Sequence, residues 1–126
     1  MTIVVAAAVV ERDGRILVTK RPAGVHLEGH WEFPGGKCAA GETLEQCLVR
    51  ELREELDADI AVGTELLATG HDYGDRRIEL HFFSCQLRGE ARPQLGQEMR
   101  WIQRRSLATL QFPPADAELI QQLTRA

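Results

Sequence analysis

No stretch of this chain stays apolar for the roughly 20 residues a membrane-spanning helix requires, so a helical membrane protein is not expected. The opening MTIVVAAAVV has neither a basic leader nor a following signal-cleavage region, and is read as a buried strand in a cytoplasmic protein. Basic residues are in deficit: 15 Lys and Arg against 19 Asp and Glu give a formal charge of −4. That argues against long nucleic acid as a partner, because a broad phosphate-binding face needs clustered Lys and Arg. A small phosphorylated ligand remains compatible. Cysteines are few. Cys38, Cys47 and Cys85 are odd in number, far apart and without a C-x-x-C pair, so neither a disulfide framework nor a zinc site is expected, and all three are read as ordinary thiols. Repeats, low-complexity tracts and linkers are absent, so residues 1–126 are treated as one domain, acting as a monomer or a homodimer. The balance of 44% apolar and 27% charged residues suits one soluble core.

What is present alternates strand and loop signals around one secure helix. The apolar, partly β-branched run at 2–10, the turn RDG and then RILVTK predict a first hairpin. RPAGVHLEGHWEFPGGKCAAGE is too rich in Gly and Pro for a helix and reads as a long functional loop with a short strand at Trp31–Phe33. Thr43 followed by Gln46 matches a capping box, and strong helix formers continue to Leu56. ELLATGHDY and RRIELHFFSCQL predict a second hairpin around GD, EMRWIQ a short strand, and PPADAELIQQLTRA a C-terminal helix. Strands mixed with two helices make the class α+β.

The helix carries an oddity. At about 100° per residue, Leu44, Leu48, Leu52 and Leu56 form an apolar stripe, while Glu51, Glu54 and Glu55 crowd beside its far end. Like charges at i, i+3 and i+4 cost a few tenths of a kcal/mol per pair. Two readings compensate that repulsion. A hard divalent ion such as Mg²⁺ or Mn²⁺ takes carboxylate oxygens and keeps positions for water and phosphate. Alternatively the face is merely solvated and partly neutralised by Arg50 and Arg53.

Gly36, five residues, Glu42, seven residues and RELREEL at 50–56 resemble the signature of the Nudix hydrolases, G-x5-E-x7-R-E-U-x-E-E-x-G-U with U aliphatic. Asp57 stands where that pattern has Gly, and Asp tolerates a left-handed helix end less readily than Gly. The resemblance implies an α/β/α sandwich with a mixed sheet between helices, and a loop–helix unit that holds divalent metal against a diphosphate. Mg²⁺ is the implied cofactor, with Mn²⁺ as the other possibility. It implies Glu51, Glu54 and Glu55 as metal ligands, with the carbonyl of Gly35 or Gly36 near the same ion. Arg50 would orient a glutamate, and Glu42 would brace the loop.

The flanks TKRPAGVHLEGHWEFPGGK, DRRIELHFF and FPPADAEL look like segments of MutT-type nucleoside triphosphate pyrophosphohydrolases. That resemblance implies hydrolysis of a nucleoside triphosphate, foremost 8-oxo-dGTP, to monophosphate and pyrophosphate, by water attacking the β-phosphorus. CTP or a modified pyrimidine nucleotide is the alternative substrate. A non-catalytic nucleotide sensor is disfavoured because every glutamate of the motif is present. By position, Arg21 and His26 would contact phosphate or sugar, Phe33 would flank the base, Arg76 would help close the pocket, and Asp116 would face the base edge. From residue type alone, His26 also suits a solvated loop, Phe33 plain core and Arg76 a turn. Asp116 replaces the Asn of the best-known pattern: an ionised carboxylate only accepts hydrogen bonds, whereas an amide also donates. Glu98 is a candidate general base, although the position that would align with such a carboxylate is Leu95. Glu55 is the other candidate.

Overall fold

The computed structural model describes residues 1–125. Ala126, the last residue of the tail in which a helix is expected, lies outside them. The chain runs β1 (Thr2–Arg12), β2 (Arg15–Lys20), β3 (Trp31–Glu32), β4 (Gly35–Lys37), α1 (Leu44–Leu56), β5 (Asp59–Asp72), β6 (Arg77–Arg88) and β7 (Met99–Gln103). Two 3-10 segments follow at Arg104–Thr109 and Pro114–Asp116, and α2 (Ala117–Thr124) ends it.

β1 reads as a continuous apolar run because both of its faces are covered. Ala6, Ala8 and Val10 pack with Leu17 and with Leu48, Leu52 and Leu56 of α1. Ala7 and Val9 pack on the other side with Ile16, Val18, Phe82 and Leu119. The strands are ordered β3-β2-β1-β6-β5, with β4 added to β1 and β7 to β2. β1 and β6 are parallel over nine residue pairs, while the remaining pairings are antiparallel. This is the expected α/β/α sandwich with a mixed sheet.

α1 begins where the capping box predicts. The Gln46 N–H donates to the Thr43 hydroxyl at 3.1 Å, and the Thr43 N–H donates to the Gln46 side chain at 3.0 Å. Such a cap is worth about 1 kcal/mol. The helix ends on Asp57 in the left-handed region (φ 49°, ψ 37°), with the Asp57 N–H donating to the Arg53 carbonyl at 3.0 Å, so the cap survives the missing glycine.

Three features differ from expectation. β5 starts at Asp59 rather than Glu65, because register shifts between Val62 and Leu67 break the alternation by which a strand is read. β4 is Gly-Gly-Lys, a poor strand former on its own, and exists because Val5, Ala6 and Ala7 offer it partner backbone. Cys38 and Cys47 are not ordinary thiols: they form a disulfide, with Cα atoms 5.1 Å apart. They stand nine positions apart in sequence, but the end of β4 lies against the first turns of α1, a proximity that spacing alone does not reveal. Cys85 is a free, buried thiol, its pKa pushed up to about 12 by burial.

Candidate active site

The site begins with two glycines. Gly35 and Gly36 pair with Ala7 and Ala6. A Cβ at Gly35 would strike the Ala6 carbonyl oxygen and lie 2.7 Å from Ala7 Cα, so backbone meets backbone there. A Cβ at Gly36 would instead collide with the Glu51 carboxylate. The second glycine therefore leaves room for a functional side chain.

Arg50 ties the loop to the helix. Its Nε and Nη2 donate to the two Glu42 oxygens at 2.7 and 2.9 Å, Nη2 also to the Lys37 carbonyl at 3.0 Å, and Nη1 to Glu51 at 3.0 Å and Glu54 at 3.2 Å. The Ala39 N–H adds a hydrogen bond to Glu42 at 2.7 Å. Glu42 is accordingly held far below the usual carboxylate range, at about 2, first by Arg50 and then by that backbone donor. Arg50 in turn is driven further toward its charged form, chiefly by Glu42. Arg50 thus bridges the loop glutamate Glu42 and two glutamates of α1.

Glu55 lives in another environment. Its pKa is pushed up to about 8, first by burial and then by the charges of Glu32 and Glu51, while a backbone hydrogen bond from Gly35 and the charge of Arg21 pull it down. It lines a cavity of about 390 Å³ together with Gly35, Gly36, Arg21, Phe33 and Asp116. Phe33 stacks on Phe112 at 5.2 Å and meets Phe82 edge-on at 5.9 Å, so it is both core and cavity wall. Asp116, only 7% exposed, has its pKa pushed up to about 7 by burial and then by Glu32.

Glu32 is the residue that sequence reasoning missed. It lines the same cavity, pairs with Arg21 at 3.0 Å, and raises the proton affinity of both Glu55 and Asp116. Its signal was a carboxylate set between Trp31 and Phe33 in a strand whose neighbours are buried.

Other expected residues lie elsewhere. His26 is exposed, and only its backbone carbonyl takes part, accepting from Arg21 Nε at 2.6 Å. Arg76 is exposed at the β5–β6 turn, its guanidinium 6.0 Å from the Tyr73 ring centroid. Glu98 is exposed and paired with Arg100 at 2.6 Å, and neither it nor exposed Leu95 lines the cavity.

Among the described residues no group of three His, Cys, Asp or Glu side chains is assembled as a metal cage. Glu51 and Glu54 are turned onto Arg50, at 14% and 60% side-chain exposure. The donor set nevertheless fits a hard divalent ion: three carboxylates within about one helical turn, beside a glycine whose missing side chain gives Glu51 its space.

The comparisons agree with this geometry. A NUDIX domain family model matches residues 5–122. The chain is 40% identical over 122 residues to an 8-oxo-dGTP diphosphatase of Haemophilus influenzae, covering 94% of this chain and 89% of that protein. It is 37% identical over 118 residues to a CTP pyrophosphohydrolase of Escherichia coli, covering 93% and 87%. The solution structure of the E. coli ORF135 protein superposes with a TM-score of 0.86 at 36% identity, covering 95% of this chain and 86% of that one. With its glycine pair, its Glu42–Arg50 brace and its glutamate-bearing helix, this chain belongs to the NUDIX hydrolase family.

Proposed function

We propose that this protein hydrolyses nucleoside triphosphates to the monophosphate and pyrophosphate, with 8-oxo-dGTP as its main substrate, and cleanses the cytoplasmic nucleotide pool. The observation that carries this reading is the single cavity that joins Glu55 and the Gly35–Gly36 backbone to Phe33 and Asp116. One part suits a polyphosphate and the other a base. The relatives named for 8-oxo-dGTP and CTP support the same substrate class.

Glu51, Glu54, Glu55 and the carbonyl of Gly35 or Gly36 would hold Mg²⁺, with Mn²⁺ as a substitute, and the ion supplies charge neutralisation at the phosphates. Arg50 keeps Glu51 and Glu54 in place. Glu55, which lines the cavity, accepts the proton of the attacking water at its carboxylate. It is preferred over Glu98, which is engaged by Arg100 outside the cavity. Phe33 and Phe82 wall the base. Arg21, fixed by Glu32 and the His26 carbonyl, faces the cavity as a cation for phosphate.

A cytosine nucleotide is the second reading, favoured by Asp116, which accepts a hydrogen bond from an exocyclic amino group when ionised. Guanine N1–H and N2–H₂ suit the same acceptor. A panel of 8-oxo-dGTP, dGTP, CTP and 5-methyl-dCTP, run with Mg²⁺ and with chelator, decides between them. Preference for 8-oxo-dGTP with pyrophosphate release is expected. Preference for cytosine nucleotides would replace the main reading, and full turnover by a Glu54→Gln variant would overturn the site assignment.

A further inference from the structure

Cys38 and Cys47 occupy the seam between the catalytic strand and the catalytic helix. Cys38 comes two residues after Gly36, and its N–H continues the β4 ladder by donating to the Val4 carbonyl at 2.8 Å. Cys47 lies one helical turn before Glu51 and is wholly buried, whereas Cys38 is only partly so. Their Cα separation of 5.1 Å is that of ordinary disulfides. Cys47 Sγ also lies 3.8 Å from the Gly36 carbonyl oxygen. The sulfur bridge and the Gly36–Glu51 contact are therefore adjacent rungs between β4 and α1.

We propose that Cys38 and Cys47 form a reversible thiol-oxidation site, closed by a peroxide and reopened by a dithiol, whose closure strengthens divalent-ion binding at Gly36 and Glu51. That last consequence rests on the function proposed above. In the closing reaction the Cys38 thiolate attacks a peroxide oxygen: an S–O bond forms, the O–O bond breaks, and hydroxide leaves and is protonated to water. The Cys47 thiolate then attacks the Cys38 sulfur. The S–S bond forms, the S–O bond breaks, and the departing hydroxide takes up the proton Cys47 released. Two thiols lose two electrons in total, and one hydrogen peroxide becomes two waters. In the reverse direction a dithiol attacks the more accessible Cys38 sulfur, Cys47 leaves as thiolate, and the second thiol of the reductant releases Cys38.

The link to the ion is local. A reduced Cys47 can donate a weak S–H hydrogen bond to the Gly36 carbonyl, occupying a lone pair an ion would use. The disulfide has no such proton, and it fixes the first turns of α1 over β4. In a reducing compartment the pair rests open, since disulfides there are transient and redox-sensing.

The test uses the full-length protein, prepared with dithiothreitol and then treated with stoichiometric hydrogen peroxide. Intact mass should fall by about 2 Da, with two fewer alkylatable thiols after denaturation, both reversed by dithiothreitol. Cys38→Ser, which leaves buried Cys47 and Cys85 in place, should show neither change. The oxidised wild type should melt about 5–10 °C above the reduced form. Without nucleotide it should bind Mn²⁺, followed by the electron paramagnetic resonance of the free ion, about tenfold more tightly. Absence of the mass loss, a bridge that resists dithiothreitol in the folded protein, or equal Mn²⁺ affinity in the two forms would each overturn the proposal. If no nucleotide is hydrolysed at all, the proposed function falls, while the mass and thiol counts still decide whether the oxidation site exists.

Discussion

At the scale of single residues, the two glycines of β4 make opposite demands. Gly36→Ala sends its methyl group into the Glu51 carboxylate, the far end of a flexible side chain that can swing away. We expect near-normal thermal stability with turnover reduced at least a hundredfold, on the order of 3 kcal/mol of barrier. Gly35→Ala meets the backbone of Ala6 and Ala7 instead, so its first symptom should be a lowered melting temperature. Paired melting curves and rate measurements separate the two. Asp116 yields a pH prediction whose sign is fixed by burial. Its folded pKa of about 7 lies above the ordinary 3.8, so between about pH 4 and 7 the folded protein binds more protons than the unfolded chain. Stability from this residue is complete below that window, falls as pH rises through it, and is flat above. Asp116→Asn removes that slope and should stabilise the protein at pH 8 by on the order of 2–4 kcal/mol, read from denaturant melts in chelator. Glu55 has the same sign and stays in both proteins, so the difference between them isolates Asp116.

At the scale of elements, α1 combines a sound start with a costly end. Asp57 holds a left-handed conformation that penalises residues with a Cβ, and it places negative charge at a helix C-terminus. Asp57→Gly should therefore stabilise by about 1 kcal/mol, less the greater freedom glycine gives the unfolded chain, visible as a melting temperature a few degrees higher. Arg50 is the element's other dependency. Lys in its place keeps the charge but cannot span Glu42, Lys37, Glu51 and Glu54 with one planar fork. Arg50→Lys should lower turnover at least tenfold while leaving the fold intact, checked by kinetics beside circular dichroism. The legible parts of α1 were local: the capping box, the apolar stripe and the glutamate spacing all act within a few residues. β4, the Cys38–Cys47 bridge and Glu32 depend on partners brought by the fold, and the chain nearby carries little trace of them. His26 and Arg76 show the converse, since matching a motif by position says nothing about where an exposed loop sends its side chain.

At the scale of the whole molecule, the sandwich places its two helices on opposite faces of one sheet and puts the cavity lined by Glu55 and Asp116 beside β1, with Val5 and Ala7 in its wall. The sandwich was implied by the resemblance that the helix motif carries, while β1 was readable from its apolar run as a buried strand. The parallel pairing of β1 with β6 was not, because no turn joins the two strands and only the completed sheet reveals it. That pairing also shapes the protein's birth. Thr2 waits for Arg77, 75 residues further along the chain. At a synthesis rate of about 5–20 residues per second, the most apolar strand emerges some 4–15 s before its long parallel neighbour exists. In that interval its unpaired edge and bare apolar faces are open to other nascent chains, and a chaperone that shields the first dozen residues would protect the yield of active enzyme.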